Sequence, residues 1–217
     1  MLKIYPSLIA GNLLAIQDEI VRLEPYCDGF HVDVMDFHFV PNLTFGADTV
    51  NAIAAITQKP LSVHLMVDDP AAWIKLLKLR PQDTLSFHYE ATENHQTIIN
   101  AIQQKGWRAG IAINPASAVE QLYPLLADID QVLVMSVQAG FSGQQFIPHS
   151  LDKLKELSAY KQQHNLPFII AIDGGVNGNN IADVAAAGAQ EVVVGSALFN
   201  AVDVVTYLQE LYTKSQS

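Results

Sequence analysis

Short apolar runs recur along the whole chain, each closing on polar or glycine-containing residues and most followed by a stretch with helical spacing. The runs fall at residues 2–9, 29–34, 61–66, 84–88, 109–114, 131–137, 168–173 and 191–195 and read as eight strands. Val132-Leu133-Val134-Met135 is continuously apolar rather than alternating, the pattern of a parallel strand covered on both faces. Residues 151–162 typify the segments between. Leu151, Leu154, Leu157 and Tyr160 recur every third position, with Asp152, Lys153, Lys155 and Glu156 between them, which predicts an amphipathic helix with its charged face in solvent. Eight strand-then-helix units predict a closed (β/α)8 TIM barrel rather than an open doubly wound sheet. No long linker or low-complexity segment interrupts them, so residues 1–217 are expected to form one domain, with 214–217 as a frayed tail.

In such a barrel the chemistry belongs at the C-terminal strand ends. Three segments there carry candidate ligands: His31-Val32-Asp33-Val34-Met35-Asp36, Val63-His64-Leu65-Met66 and Ile172-Asp173-Gly174-Gly175. His31 and Asp33 are two residues apart, and the strand period of two puts both on one face. If His64 and Asp173 point into the same mouth, three strands supply two nitrogens and two oxygens. That set suits zinc, manganese or ferrous iron. Met35, Met66 and Met135 also fall at or just after strand ends, either as core fillers or as a polarizable wall beside a reacting carbon.

Glycines mark the last three strand ends. Gly140-Phe141-Ser142-Gly143, Gly174-Gly175 and Gly195-Ser196 follow strands six, seven and eight. Each alone reads as a tight turn, but together they make the backbone N–H grip that this barrel uses for phosphate. Such a grip needs no lysine or arginine.

Composition agrees with that reading. With 12 Lys and Arg against 22 Asp and Glu, the net charge is −10, which disfavours nucleic acid and anionic membranes as partners. No run approaches the roughly 18 apolar residues of a membrane span, and no basic-then-apolar leader opens the chain, so a cytoplasmic location is expected. Cys27 is the sole cysteine, which excludes an intramolecular disulfide.

Ordered blocks across nearly the whole chain carry a more specific signal. From Tyr5-Pro6-Ser7-Leu8 through Phe39-Val40-Pro41-Asn42-Leu43-Thr44, Asn114-Pro115-Ala116, Met135-Ser136-Val137 and Gln144-Gln145-Phe146-Ile147-Pro148 to Gly195-Ser196-Ala197-Leu198-Phe199, the sequence resembles the ribulose-phosphate 3-epimerase family. The resemblance implies a barrel of the ribulose-phosphate-binding type that interconverts D-ribulose 5-phosphate and D-xylulose 5-phosphate in the pentose phosphate pathway. It implies one divalent ion (zinc, iron, manganese or cobalt) on His31, Asp33, His64 and Asp173, with Asp33 and Asp173 also the two acid/base groups that pass through an enediolate. Ser7 would bond a catalytic carboxylate or the substrate, and His64 would face the substrate as well. Gly140, Phe141, Ser142, Gly143, Gly174, Gly175, Gly195 and Ser196 would bind or surround the phosphate. Association with further copies of the chain is expected.

Several positions depart from the family pattern. Ala10-Gly11-Asn12 replaces the usual Ser-Ala-Asp, with Asn12 still able to cap a helix. Gln138, Ala139 and Ser142 alter the loop after strand six, and Phe37 stands where glycine or asparagine is common. These changes spare every proposed ligand but leave two other activities open: 3-epimerisation of a hexose analogue such as D-allulose 6-phosphate, and binding of a sugar phosphate without turnover. His38, His88, His95, His149 and His164 are read as non-catalytic, and Asp36 as either a loop cap or an orienting group.

Overall fold

The computed structural model describes residues 2–216. Eight strands, β1 (Lys3–Pro6), β2 (Phe30–Met35), β3 (Leu61–Met66), β4 (Thr84–His88), β5 (Arg108–Ile113), β6 (Gln131–Met135), β7 (Ile169–Asp173) and β8 (Glu191–Val194), form one parallel sheet. Its order runs β1-β8-β7-β6-β5-β4-β3-β2, and a single parallel bridge between Ser7 and His31 joins the two ends, closing the barrel. The register sets Asp33 beside His64 and Met35 beside Met66.

Strand alternation makes two cores. Phe30, Val32 and Val34 of β2 and Leu61, Val63 and Leu65 of β3 point outward and are buried with the apolar helix faces, while Met35, Met66, Leu133, Met135 and Val193 fill the barrel interior. Lower in the interior, Glu191 accepts bonds from Gln131 (2.7 Å) and Tyr5 (3.4 Å), and Ser86 donates to Gln131 (3.0 Å), so these buried polar groups are satisfied.

A recurring device pins the strand starts. Asp28, Asp83 and Asp130, one or two residues ahead of β2, β4 and β6, each accept a main-chain N–H from the preceding strand region: Ile4 (2.9 Å), Leu61 (2.9 Å) and Ala109 (2.8 Å). Gln190 does the same for Ile170 ahead of β8, at 3.3 Å. Amides at the N-terminal rim that would lack a ladder partner are thereby satisfied, which fixes register at that end.

Helices α1 (Ile16–Leu23), α2 (Ala47–Ile56), α3 (Pro70–Leu76), α4 (His95–Gln104), α5 (Ser150–His164), α6 (Ile181–Ala186), α7 (Ser196–Phe199) and α8 (Val204–Lys214) surround the strands. The fifth unit departs from the expected strand-then-helix repeat. Between β5 and β6 the chain forms a 3-10 helix, Val119–Leu125, containing Pro124, whose missing N–H cannot extend an α-helix. The first strand is also shorter than expected, because residues Leu8–Ala10 turn into a 3-10 helix immediately after Ser7. Asn12 caps the following turn by accepting from the Leu14 N–H at 3.1 Å. Within α5, Leu154 and Leu157 are buried as the spacing implies, but Lys153 is buried too, at 6% exposure, where a solvent-facing charge was expected. Lys214 closes α8, and Ser215 and Gln216 continue in hydrogen-bonded turns rather than fraying; Ser217 lies outside the described residues.

Candidate active site

At the C-terminal mouth of the barrel, β2, β3 and β7 bring His31, Asp33, His64 and Asp173 together. One donor atom from each falls within 4.8 Å of all the others. His31 Nε2 and His64 Nδ1 each lie 3.1 Å from Asp33 Oδ1, and 3.5 and 3.9 Å from Asp173 Oδ2. Ser7, just past β1, donates its hydroxyl to Asp33 Oδ2 at 2.9 Å. Ser62 lies 3.2 Å from the far nitrogen of His31.

This donor set fits a divalent ion. Four donors at the ~2.0–2.1 Å bond lengths of a tetrahedral ion stand about 3.4 Å apart, and the spacings here bracket that value. The two carboxylates also converge with only imidazoles between them. Burial pushes Asp173 upward, the charge of Asp33 adds to the shift, and the group reaches about 7. Burial opposes ionisation of Asp33 as well, but His31 and His64 outweigh it and hold that carboxyl well below the usual range. The environment thus drives two identical groups in opposite directions, one ionised and the other exchanging its proton near neutrality.

Beside the carboxylates opens a cavity of about 380 Å³. Met35, Met66 and Met135 form its apolar side, and Ser7, Asp33 and Asp173 meet it as polar groups. All eight residues expected around a phosphate line it: Gly140, Phe141, Ser142, Gly143, Gly174, Gly175, Gly195 and Ser196. Among the described residues, no lysine or arginine does. Gly175 has φ +65 and packs so closely on the loop after β6 that a Cβ would stand 2.6 Å from Phe146 N. The loop itself is clamped by Gln144, whose amide donates to the carbonyls of Gln138 (2.6 Å) and Phe141 (2.8 Å).

His31 and His64 have no exposed surface and sit behind the carboxylates, so they face the cavity only through the donor cluster. Asp36 is a loop cap: it accepts from His38 and Phe39 N–H (2.8 and 3.0 Å) and from Asp68 N–H (2.8 Å), tying the loops after β2 and β3 together. Asn177 and Asn200 line the cavity without having been singled out from sequence; isolated asparagines in turns carry no periodic signal.

A closed parallel barrel with two carboxylates, a four-donor cluster and a glycine-lined cavity at one mouth defines a (β/α)8 barrel whose polar groups converge at the C-terminal strand ends. Similar proteins narrow that class. The sequence pattern of the Ribulose-phosphate 3 epimerase family matches residues 3–199. Ribulose-phosphate 3-epimerase of Bacillus subtilis is 38% identical over 205 residues, 94% of this chain and 94% of that protein. The enzyme of the same name from Treponema pallidum is 39% identical over 196 residues, 90% of each. Among solved structures, KGPDC from Streptococcus mutans superposes with a TM-score of 0.73 at 13% identity, covering 100% of this chain and 98% of that one, a likeness of fold alone. The chain belongs to the ribulose-phosphate 3-epimerase family.

Proposed function

We propose that this protein epimerises a ketose phosphate at C3, converting D-ribulose 5-phosphate to D-xylulose 5-phosphate in the pentose phosphate pathway. The observation that carries the reading is the pair of cavity-lining carboxylates, Asp33 and Asp173, with oppositely shifted acidities. Inverting a carbon beside a ketone requires taking a proton from one face and returning one to the other. Asp33, ionised and held by the Ser7 hydroxyl, is suited to remove it; Asp173, protonated, is suited to supply it, and the roles exchange in reverse. His31, Asp33, His64 and Asp173 would hold a divalent ion of zinc, iron, manganese or cobalt. Such an ion supplies Lewis-acid stabilisation of the negative charge developing on the substrate oxygens. The N–H groups of the three glycine loops hold the phosphate end, with the hydroxyls of Ser142 and Ser196 beside them, and the methionines keep water from the reacting carbon.

The same reading takes residues 1–217 as a single barrel domain working in the cytoplasm. Among the described residues no helix is long and apolar enough to cross a membrane. Leu14 and Val202 are fully exposed apolar side chains of the sort that an interface between copies would cover, and light scattering on the purified protein reads the association state.

The test uses solvent deuterium. Wild type incubated with ribulose 5-phosphate in heavy water should form xylulose 5-phosphate labelled at C3. Asp33→Asn and Asp173→Asn should each stop epimerisation, while each still exchanges the C3 proton of one epimer, a different one in each variant, provided metal content is retained. A metal-loaded variant that interconverts the epimers near the wild-type rate refutes the two-acid assignment. Faster turnover of D-allulose 6-phosphate than of ribulose 5-phosphate would move the substrate to the hexose.

A further inference from the structure

β4 ends on His88, and Glu90 follows two residues later, the same step that separates His31 from Asp33. His88 is fully buried, with the ring of Phe39 packed 4.7 Å from its own. Its Nε2 lies 2.9 Å from Nε2 of His64, and its Nδ1 lies 3.0 Å from Oε2 of Glu90. Two ring nitrogens at that distance must be one donor and one acceptor.

Glu90 decides which is which. Its other oxygen accepts from the Asn114 N–H at 2.9 Å and from the Ser117 hydroxyl, so the carboxylate is surrounded by donors and acts only as an acceptor. His88 must then carry its proton on Nδ1. Its bare Nε2 accepts from His64 Nε2–H, which leaves the lone pair of His64 on Nδ1, the nitrogen aimed at Asp33 and Asp173. The far end of the chain is tied down by Lys153, whose buried ammonium donates to the carbonyls of Asn114, at 2.9 Å, and Ser117. The Asn114-Pro115-Ala116 block and the unexpectedly buried lysine therefore serve one structure.

We propose that His88 and Glu90 are positioning residues that fix His64 as the Nε2–H tautomer with Nδ1 free to bind the divalent ion, and that the 114–117 turn, locked by Lys153, sets the direction of this relay. The proposal rests on the metal-binding reading above. Outer-shell partners of metal-bound histidines typically contribute roughly 10- to 100-fold in metal affinity. His88→Leu removes the acceptor and should weaken zinc binding by that factor. Glu90→Gln offers His88 an amide that can donate, which permits the ring to reverse its tautomer and present Nε2–H to His64; it should weaken zinc by a similar factor. His88→Gln keeps an acceptor oxygen at the same reach and should stay within a few-fold of wild type.

Two measurements decide the matter. The first is the zinc dissociation constant of wild type and the three variants, by competition with a chromophoric chelator, alongside urea unfolding of each. The second is the tautomer of His88 from nitrogen-15 NMR of histidine-labelled wild type, with and without zinc; Nδ1–H is expected in both. Rescue by His88→Gln, with loss in His88→Leu and Glu90→Gln, supports the relay. Zinc affinities within twofold of wild type in both His88→Leu and Glu90→Gln, or an Nε2–H tautomer at His88, overturn it. If His88→Leu fails to fold, Glu90→Gln and the wild-type tautomer still decide. A wild type that binds no zinc, iron, manganese or cobalt overturns the metal reading instead, and the tautomer in metal-free protein continues to test the proton placement.

Discussion

Gly175→Ala is the sharpest probe of how the loops after β6 and β7 build the cavity proposed to take the phosphate. The position has φ +65, and a Cβ there would meet Phe146 N at 2.6 Å, Phe146 Cα at 2.9 Å and Gln144 O at 3.1 Å. All three are main-chain atoms, which cannot swing aside as a flexible side chain would. A non-glycine residue in the left-handed region costs about 1–2 kcal/mol, and forcing a methyl into a packed contact adds roughly 1–3 kcal/mol, so the variant should lose about 2–5 kcal/mol. Gly106→Ala separates the two contributions. Gly106 has φ +77 but nothing within 4 Å of its Cβ direction, so it should show only the conformational cost of about 1–2 kcal/mol. Urea unfolding measures both. Kinetics with ribulose 5-phosphate complete the comparison: pushing the two loops apart should weaken N–H bonds to phosphate worth roughly 1.5–3 kcal/mol each, raising KM tenfold or more in Gly175→Ala and leaving it unchanged in Gly106→Ala. Equal stability losses in the two variants, or an unchanged KM in Gly175→Ala, would refute the reasoning.

Other outcomes follow from the same packing and burial. Phe37 holds φ +64 while 65% exposed, so Phe37→Gly should relieve about 1–2 kcal/mol of strain against an entropy cost of about 0.5–1 kcal/mol; a fall in urea midpoint would contradict this. In metal-free protein Asp173 should contribute a downward slope of stability with pH between about 4 and about 7, opposed over the same range by buried His88, whose folded value is lowered to about 4: Asp173 keeps a proton in the folded state that the unfolded chain releases near 3.8, so its contribution is fully present below that value and lost as its raised folded value is passed. Asp173→Asn should remove that contribution, so its stability relative to wild type should rise with pH across this range, and an identical pH dependence in the two proteins counts against the buried-acid picture. Asp83→Ala should cost about 3–5 kcal/mol, because it removes the carboxylate that pairs with the Arg80 guanidinium and accepts the Leu61 and Arg80 N–H groups, leaving the guanidinium only the carbonyls of Thr57 and Lys59. Turnover per folded molecule should not change, since Asp83 lies at the opposite end of the barrel from the cavity.

The strands and the pairing of His31 with Asp33 were legible because both depend on local periodicity, whereas the place of His64 and Asp173 beside them followed from the expected barrel and the family resemblance. Continuous apolar runs mark parallel strands, and a two-residue step puts His31 and Asp33 on one face wherever the strand goes. What escaped depends on partners distant in the chain. One local signal was passed over as well: the segment Val119–Leu125 has helical spacing, but Pro124 within it removes a main-chain donor, and the segment forms a 3-10 helix. Lys153 follows the charged pattern of α5, yet its burial is set by carbonyls 36 and 39 residues earlier, in a turn whose position depends on the β5 register. His88 looks like an ordinary strand-end histidine until the pairing of β3 with β4 brings it to His64.

The aspartates show why residue type alone could not assign the chemistry. Asp28, Asp83 and Asp130 stand just ahead of a strand, where the neighbouring strand presents an amide without a ladder partner, and each carboxylate is consumed in satisfying it. Asp33 lies within a strand and Asp173 at the end of one, where the strand's own amides are already committed to the ladder. Their side chains therefore meet imidazoles, a hydroxyl and each other. A carboxylate whose oxygens are spent on fixed main-chain donors is held as a strut, whereas one facing a second carboxylate across a buried cluster has an acidity that a cation or a bound substrate can move. Placement ahead of a strand start, as against within a strand or on its last residue, thus separates Asp28, Asp83 and Asp130, which hold the barrel together, from Asp33 and Asp173, which face each other across the cluster.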